Sequence, residues 1–164
     1  MRHDEPPRGL CVARSQRGFT LIEAMVVVAM LGIVAAIAAP SFAGFIGTMI
    51  AKAVAFDLIS DLTTARSEAI KRNADTTLVP ISGNWSNGWQ IAAGGTILRE
   101  RGALASSITV TGAPGAGVQF RSNGRLRDDE TLTRWTVKSS IPGVIQRCVI
   151  VTPTGSARSR AGAC

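Results

Sequence analysis

Glu23 stands where a carboxylate is expensive. It follows Phe19-Thr20-Leu21-Ile22 and precedes an uncharged apolar run, 24–39, that ends at Pro40. From Phe19 onward the stretch holds roughly the 20 residues that a helix rising about 1.5 Å per residue needs to cross a bilayer core. A charged side chain in such a helix costs about 2.5–3.5 kcal/mol on insertion scales, so it calls for a function and a partner. Its place in the first turns, where the backbone dipole favours an anion, offsets part of that cost. Few other groups could do chemistry. They are one histidine, His3, three cysteines, Cys11, Cys148 and Cys164, and the acidic triplet Asp128-Asp129-Glu130. The triplet lies between basic residues and reads as a solvated turn rather than a metal site. The last quarter is crowded with Arg121, Arg125, Arg127, Arg134, Lys138, Arg147, Arg158 and Arg160. Clustered cations are the chemistry of phosphate binding, which is salt-dependent and blind to sequence.

The elements that must position these groups follow from periodicity. Residues 1–18 are polar and basic, with Pro6-Pro7 and no apolar period. They read as a leader held in the cytoplasm by positive charge. The alternative is a cleaved secretory signal peptide, cut at the small residues of 36–39 or 41–43 and giving a mature start near 40–44. Glu23 would interrupt the apolar region of such a peptide. Beyond Pro40, Gly44 and Gly47, which loosen the helix locally, the helix is predicted to continue. Ile50, Val54, Leu58, Leu62, Ala65 and Ala69 recur at steps of three and four, the stripe of an amphipathic helix. Asp57, Asp61, Thr64 and Glu68 are placed on a different face. Glu68 and Arg72 form an i,i+4 pair of the favoured order, and Asn73 is the stop. One helix of about 55 residues, roughly 80 Å long and kinked near Pro40, is expected.

After Asn73 short β-favouring runs alternate with turn signals: 76–81, 89–93, 96–100, 108–111, 118–120, 132–139 and 147–152. The stretch 83–88 is a loop, and Trp135 falls out of phase between Leu132 and Val137. The run 147–152 closes the sheet before Pro153. The expected fold class is α+β: a long N-terminal helix, transmembrane in its first half and amphipathic in its second, packed on an antiparallel, meander-like β-sheet domain. The boundaries are a leader at 1–18, a transmembrane helix at 19–47, an amphipathic helix at 48–74 and the sheet domain at 75–164. The glycine-rich stretches are loops rather than phosphate cradles, because no helical pattern follows them.

The stretch Gly18-Phe19-Thr20-Leu21-Ile22-Glu23 resembles the class III signal of type IV pilins and type II secretion pseudopilins. The resemblance implies the pilin fold and a leader cut between Gly18 and Phe19 by a prepilin peptidase/N-methyltransferase, which then methylates Phe19. Glu23 becomes the residue of subunit registration. In an apolar filament core its carboxylate would seek a cation, and the new α-ammonium of Phe19 on a neighbouring pilin or pseudopilin supplies one. The layout of Phe120-Arg121-Ser122-Asn123-Gly124, and of 149–158 with Gly155 and Arg158, is similar to the GspH/FimT branch, which includes FimU-like minor pilins. That branch implies an inner-membrane, single-pass subunit with a periplasmic domain. It also implies a DNA receptor role, carried by a C-terminal Gly-Arg-x-Arg motif. This chain has Gly155-Ser156-Ala157-Arg158 followed by Arg160, so Ser156 replaces the first arginine. A similar string, Gly124-Arg125-Leu126-Arg127, lies upstream. The candidate DNA contacts are therefore Arg121, Arg125, Arg127, Arg158 and Arg160.

Charge and cysteine usage agree with this layout. The chain of 164 residues carries +7. The leader takes away four arginines and two acids, leaving +5. Charges cancel over 19–120, so 121–164 holds the whole surplus, eight cations against three acids. A basic end points to an anionic partner: nucleic acid, lipid headgroups or an acidic neighbouring subunit. Cys11 leaves with the leader. Cys148 and Cys164 then make an even pair in a domain facing an oxidising compartment, which predicts a disulfide. His3 leaves as well, which removes histidine-based acid–base, nucleophilic and zinc chemistry from the mature chain. No enzyme, cofactor or metal is expected. Three roles stay open: a type IV pilus subunit acting in assembly, twitching motility or DNA uptake, a GspH-type pseudopilin of type II secretion, and a secreted basic binding protein.

Overall fold

The computed structural model describes residues 18–112, 114–127 and 132–164. The leader up to residue 17, with His3 and Cys11, and the triplet Asp128-Asp129-Glu130 lie outside the described residues. A single helix, α1 (Leu21–Arg72), precedes eight strands among the described residues. The strands are β1 (Thr76–Pro80), β2 (Trp89–Ala93), β3 (Thr96–Arg101), β4 (Ile108–Thr111), β5 (Val118–Phe120), β6 (Thr133–Ser139), β7 (Arg147–Val151) and β8 (Ala157–Ala161). The start of α1 is capped by Thr20, whose Oγ1 accepts the Glu23 N–H at 3.2 Å. Its end turns on Asn73, which adopts a left-handed φ of 49°. The Ala74 N–H then closes back on the Ala69 carbonyl at 3.2 Å.

The chain divides into two compact units, Met1–Ala39 and Pro40–Cys164. In the first, the helical segment Leu21–Ala38 is long and apolar enough to cross a membrane, and its side chains are exposed. In the second, α1 buries Ala51, Val54, Ala55, Leu58, Leu62, Ala65 and Ala69 in the core. Gly47 lies close to the loop 141–144, because a Cβ there would meet Val144 Cγ2 at 2.7 Å. It permits a close contact with 141–144, where a local loosening of the helix was expected.

The strands form two antiparallel sheets of four, where one meander was expected. The first runs β3-β2-β1-β5 and the second β4-β6-β7-β8. Alternation reports the phase of a strand and not its neighbour, which is why the division is silent in the sequence. The inner faces carry Leu78, Trp89, Ile91, Val118 and Phe120 from the first sheet, and Ile108, Val110, Trp135, Val137, Val149 and Val151 from the second. Trp85 joins them. Its ring lies 6.4 Å from that of Trp89 and meets Trp135 edge-on at 5.4 Å. The stretch around it, expected as loop, winds into two short 3-10 turns, Ile81–Gly83 and Trp85–Asn87.

Three further expectations change. Trp135 is in phase with Val137, both being fully buried, while Leu132 lies outside β6 and is exposed. The sheet does not close at β7, because β8 pairs with it from Arg147↔Ala161 to Val151↔Ala157. Asp61 is not on a solvent face. It is 1% exposed, and its Oδ2 accepts the Trp89 Nε1–H at 2.8 Å. Arg99 Nε and Arg101 Nε reach the same carboxylate at 3.2 and 3.3 Å. Three residues past Leu58 and one before Leu62, Asp61 shares the buried side of the helix. Strands distant in sequence bring the partners that make its burial tolerable.

Candidate functional site

Gly18 and Phe19 precede α1 outside any helix or strand, and Phe19 is exposed. Glu23 sits one turn further on, at the third position of the helix, with its backbone N–H held by Thr20. Gly18, Phe19, the Thr20 cap and the Glu23 carboxylate therefore fall within six consecutive positions at the start of an apolar helix.

The cations of the C-terminal quarter fall into separate groups. Arg121, Arg125 and Arg127 lie in the loop between β5 and β6. That loop is tightly turned, with the Arg121 N–H on the Arg125 carbonyl and the Gly124 N–H on the Arg121 carbonyl, each at 2.8 Å. Its side chains are engaged locally. Arg121 Nη2 donates to the Arg127 carbonyl at 3.0 Å, and Arg127 Nη1 donates to Gln119 Oε1 at 2.9 Å. Arg127 also lies 3.7 Å from Asp75. Arg158 and Arg160 are instead alternate, exposed residues of β8.

The two glycine-arginine strings are brought together at their glycines. Gly155, with a left-handed φ of 81°, lies against the Gly124 carbonyl, and any Cβ there would collide with it. Leu126 N–H donates to the Pro153 carbonyl at 3.0 Å, and Arg66 reaches the Gly155 carbonyl from α1 at 3.4 Å. Cys148 and Cys164 form a disulfide with Cα atoms 5.0 Å apart. The Cys164 N–H donates to Thr136 Oγ1 at 3.3 Å, so the tail is fastened over β7 and β6.

Register adds two cations that the candidate set lacked. Arg134 pairs with Ile150, which pairs with Arg158, while Thr136 pairs with Cys148 and then Arg160. Directly paired residues share a face. Arg134, Thr136 and Lys138 alternate with the buried Trp135, Val137 and Ser139. With the period of β6 set by Trp135, the sequence would have placed Arg134 and Lys138 on the outer face. Arg147 belongs to the opposite face, where its Nη2 donates to Ser159 Oγ at 3.1 Å.

Comparison with known proteins agrees with these features. Residues 55–155 match the family model "Type II transport protein GspH", and 13–39 match the "Prokaryotic N-terminal methylation motif". A "Fimbrial protein" of Pseudomonas aeruginosa is 47% identical over 58 residues, covering 35% of this chain and 36% of that protein. The match thus spans about a third of that relative's length. The "Type IV major alpha-pilin" of Moraxella bovis is 32% identical over 98 residues, 60% of this chain and 61% of the relative. Two crystal structures of the type IV minor pilin FimU of Pseudomonas aeruginosa share the fold, each with a TM-score of 0.55. They are 20% and 22% identical and are matched over 66% of this chain and 91% and 87% of theirs. A GspH model over most of the chain, the methylation motif at its head and the pilin fold of a long helix on antiparallel sheets together show that the chain belongs to the GspH family of type IV pilin-like proteins.

Proposed function

We propose that the chain is a minor pilin that enters a type IV pilus-like filament after processing at Gly18. The observation that carries this is the bare apolar helix Leu21–Ala38, entered directly from Gly18-Phe19 and holding one carboxylate, Glu23. Such a surface requires bilayer or neighbouring helices around it. In this reading 1–18 is a cytoplasmic leader removed by the prepilin peptidase/N-methyltransferase, and Phe19 becomes the methylated N-terminus. The segment 19–47 anchors the subunit in the inner membrane, 48–74 continues the helix, and 75–164 stands in the periplasm. In the filament, Glu23 pairs with the Phe19 amine of a neighbour. The subunit is structural rather than catalytic.

Within that role we assign the basic end to DNA binding during uptake, because the whole positive surplus lies in 121–164. The test is a mobility shift with the full chain in neutral detergent across a salt series, alongside Arg158→Ala and Arg125→Ala. Binding that weakens with salt and falls in either variant supports DNA uptake. No shift at low salt removes it. That outcome favours the second reading, a pseudopilin of type II secretion, to which the name of the matched family model points.

A further inference from the structure

Arg134, Lys138, Arg158 and Arg160 all stand on the outer face of the second sheet. The pairings Arg134↔Ile150↔Arg158 and Thr136↔Cys148↔Arg160 run straight across β6, β7 and β8. Lys138, two residues beyond Thr136, keeps the same face and pairs with Thr109 of β4. The outward residues of β4 are Thr109 and Thr111, and the strands β6, β7 and β8 contain no Asp or Glu. These four side chains differ from the loop arginines in a further respect. None of them makes an ion pair or side-chain hydrogen bond among the described residues, whereas Arg121, Arg125 and Arg127 are all engaged.

We infer that this outer sheet face, with Arg134 and Lys138 of β6 joining Arg158 and Arg160 of β8, is the phosphate-binding surface for DNA. The inference rests on the DNA reading above and names its residues. Arg134 and Arg158 are two strand spacings apart, about 10 Å, and Arg134 and Lys138 are four residues apart, about 13 Å. That patch is comparable to the roughly 12 Å width of the B-DNA major groove, so cations at its corners can reach phosphates on both strands. Ile150, 8% exposed, forms a low floor between Arg134 and Arg158. Within β4, β6, β7 and β8 no large exposed apolar side chain stands on this face among the described residues, and the exposed Leu132 lies at its margin just before β6. The replacement of an arginine by Ser156 in the C-terminal string is compensated by a neighbouring strand. The disulfide lies in the middle row, between Thr136 and Arg160, and holds β8 and the tail in place.

The test is the salt dependence of binding of a labelled DNA duplex by the full chain in neutral detergent. Each phosphate contact contributes about 0.9 to the slope of log K against log salt. Arg134→Ala and Lys138→Ala are each expected to lower that slope by about one and to weaken binding several-fold at low salt, equally for unrelated duplexes. Arg134→Lys is expected to restore the slope, which separates charge from packing. If both alanine variants bind like the wild type while Arg125→Ala and Arg127→Ala lose affinity, the inference is overturned and the DNA reading stands. If the wild-type chain leaves the duplex free at low salt, both fall.

Discussion

Asp61 shows what one side chain costs and returns in this molecule. Its carboxylate meets Trp89, Arg99 and Arg101 inside the second unit, and Arg101 also reaches Asp57 at 3.0 Å and lies 5.7 Å from the Trp89 ring. Removing one partner of a buried pair costs 3–5 kcal/mol in general. Arg99 is 51% exposed and Arg101 30%, so both keep water and the loss falls at the low end. Asp61→Ala is expected to lower unfolding stability by about 3 kcal/mol in urea titrations. Asp61→Asn, which keeps an acceptor for the Trp89 N–H, should lose less. Equal losses would mean that the charge contributes nothing. The apolar stripe in the sequence located the buried face of the helix but placed Asp61 on a different face. Nothing local to Asp61 signals its burial, since its partners stand 28 to 40 residues away. The Glu68–Arg72 pair is the opposite case, legible because both members lie on one helix, and it forms at 2.7 Å. The Arg72 hydrogen bond holds the Glu68 carboxyl below the ordinary carboxylate range. A depressed carboxyl stabilises above its unfolded pKa and loses that contribution as pH falls through the folded value. The stability difference between wild type and Glu68→Gln should therefore shrink as acid is added, and a constant difference from neutral pH into the acid range would refute the pairing.

At the scale of elements, β8 depends on what fastens it. It is an edge strand with no fully buried residue, and two of its five residues are arginines. Edge strands with charges resist pairing with other chains, but they add little core of their own. The Cys148–Cys164 bond closes a loop of 16 residues around it. In the chain-entropy model such a loop contributes about 3 kcal/mol. Replacing both cysteines by alanine is expected to lower stability by about that amount. It should also speed amide exchange first in β8, while β1 and β2 keep their protection. Uniform loss of protection would show that the bond supports the whole unit instead. The same weakness explains why β8 was hidden. Strand limits at Trp89–Ala93, Ile108–Thr111 and Val118–Phe120 were readable because buried residues alternate there. Ala157-Arg158-Ser159-Arg160-Ala161 offers no such alternation, and only the turn at Thr152–Gly155 marks its start. Missing β8 as a strand also hid the outer face, because Arg158 and Arg160 align with Arg134 only through the register of β7.

The whole molecule divides its labour along the chain, and that division bears on two alternative starts for the mature protein. The compact unit beginning at Pro40 holds the core, both sheets and the disulfide. A signal peptidase cut near 40–44 would leave that unit almost whole, so folding alone does not require residues 19–39. In the proposed reading, assembly requires them. An exposed apolar helix has no use in a secreted soluble protein, and Glu23 has none in a signal peptide. Glu23→Leu removes a group that opposes membrane insertion by about 2.5–3.5 kcal/mol. If the segment were only an anchor, this variant would insert at least as well and behave as wild type. If Glu23 registers subunits through the Phe19 amine of a neighbour, the variant should be cleaved at Gly18 and accumulate in the membrane, yet be lost from sheared filaments. N-terminal sequencing of both forms completes the test, with Phe19 as the expected first residue. A start near residue 40, or filaments that take up Glu23→Leu as readily as wild type, would return the chain to the secreted or simply anchored alternatives.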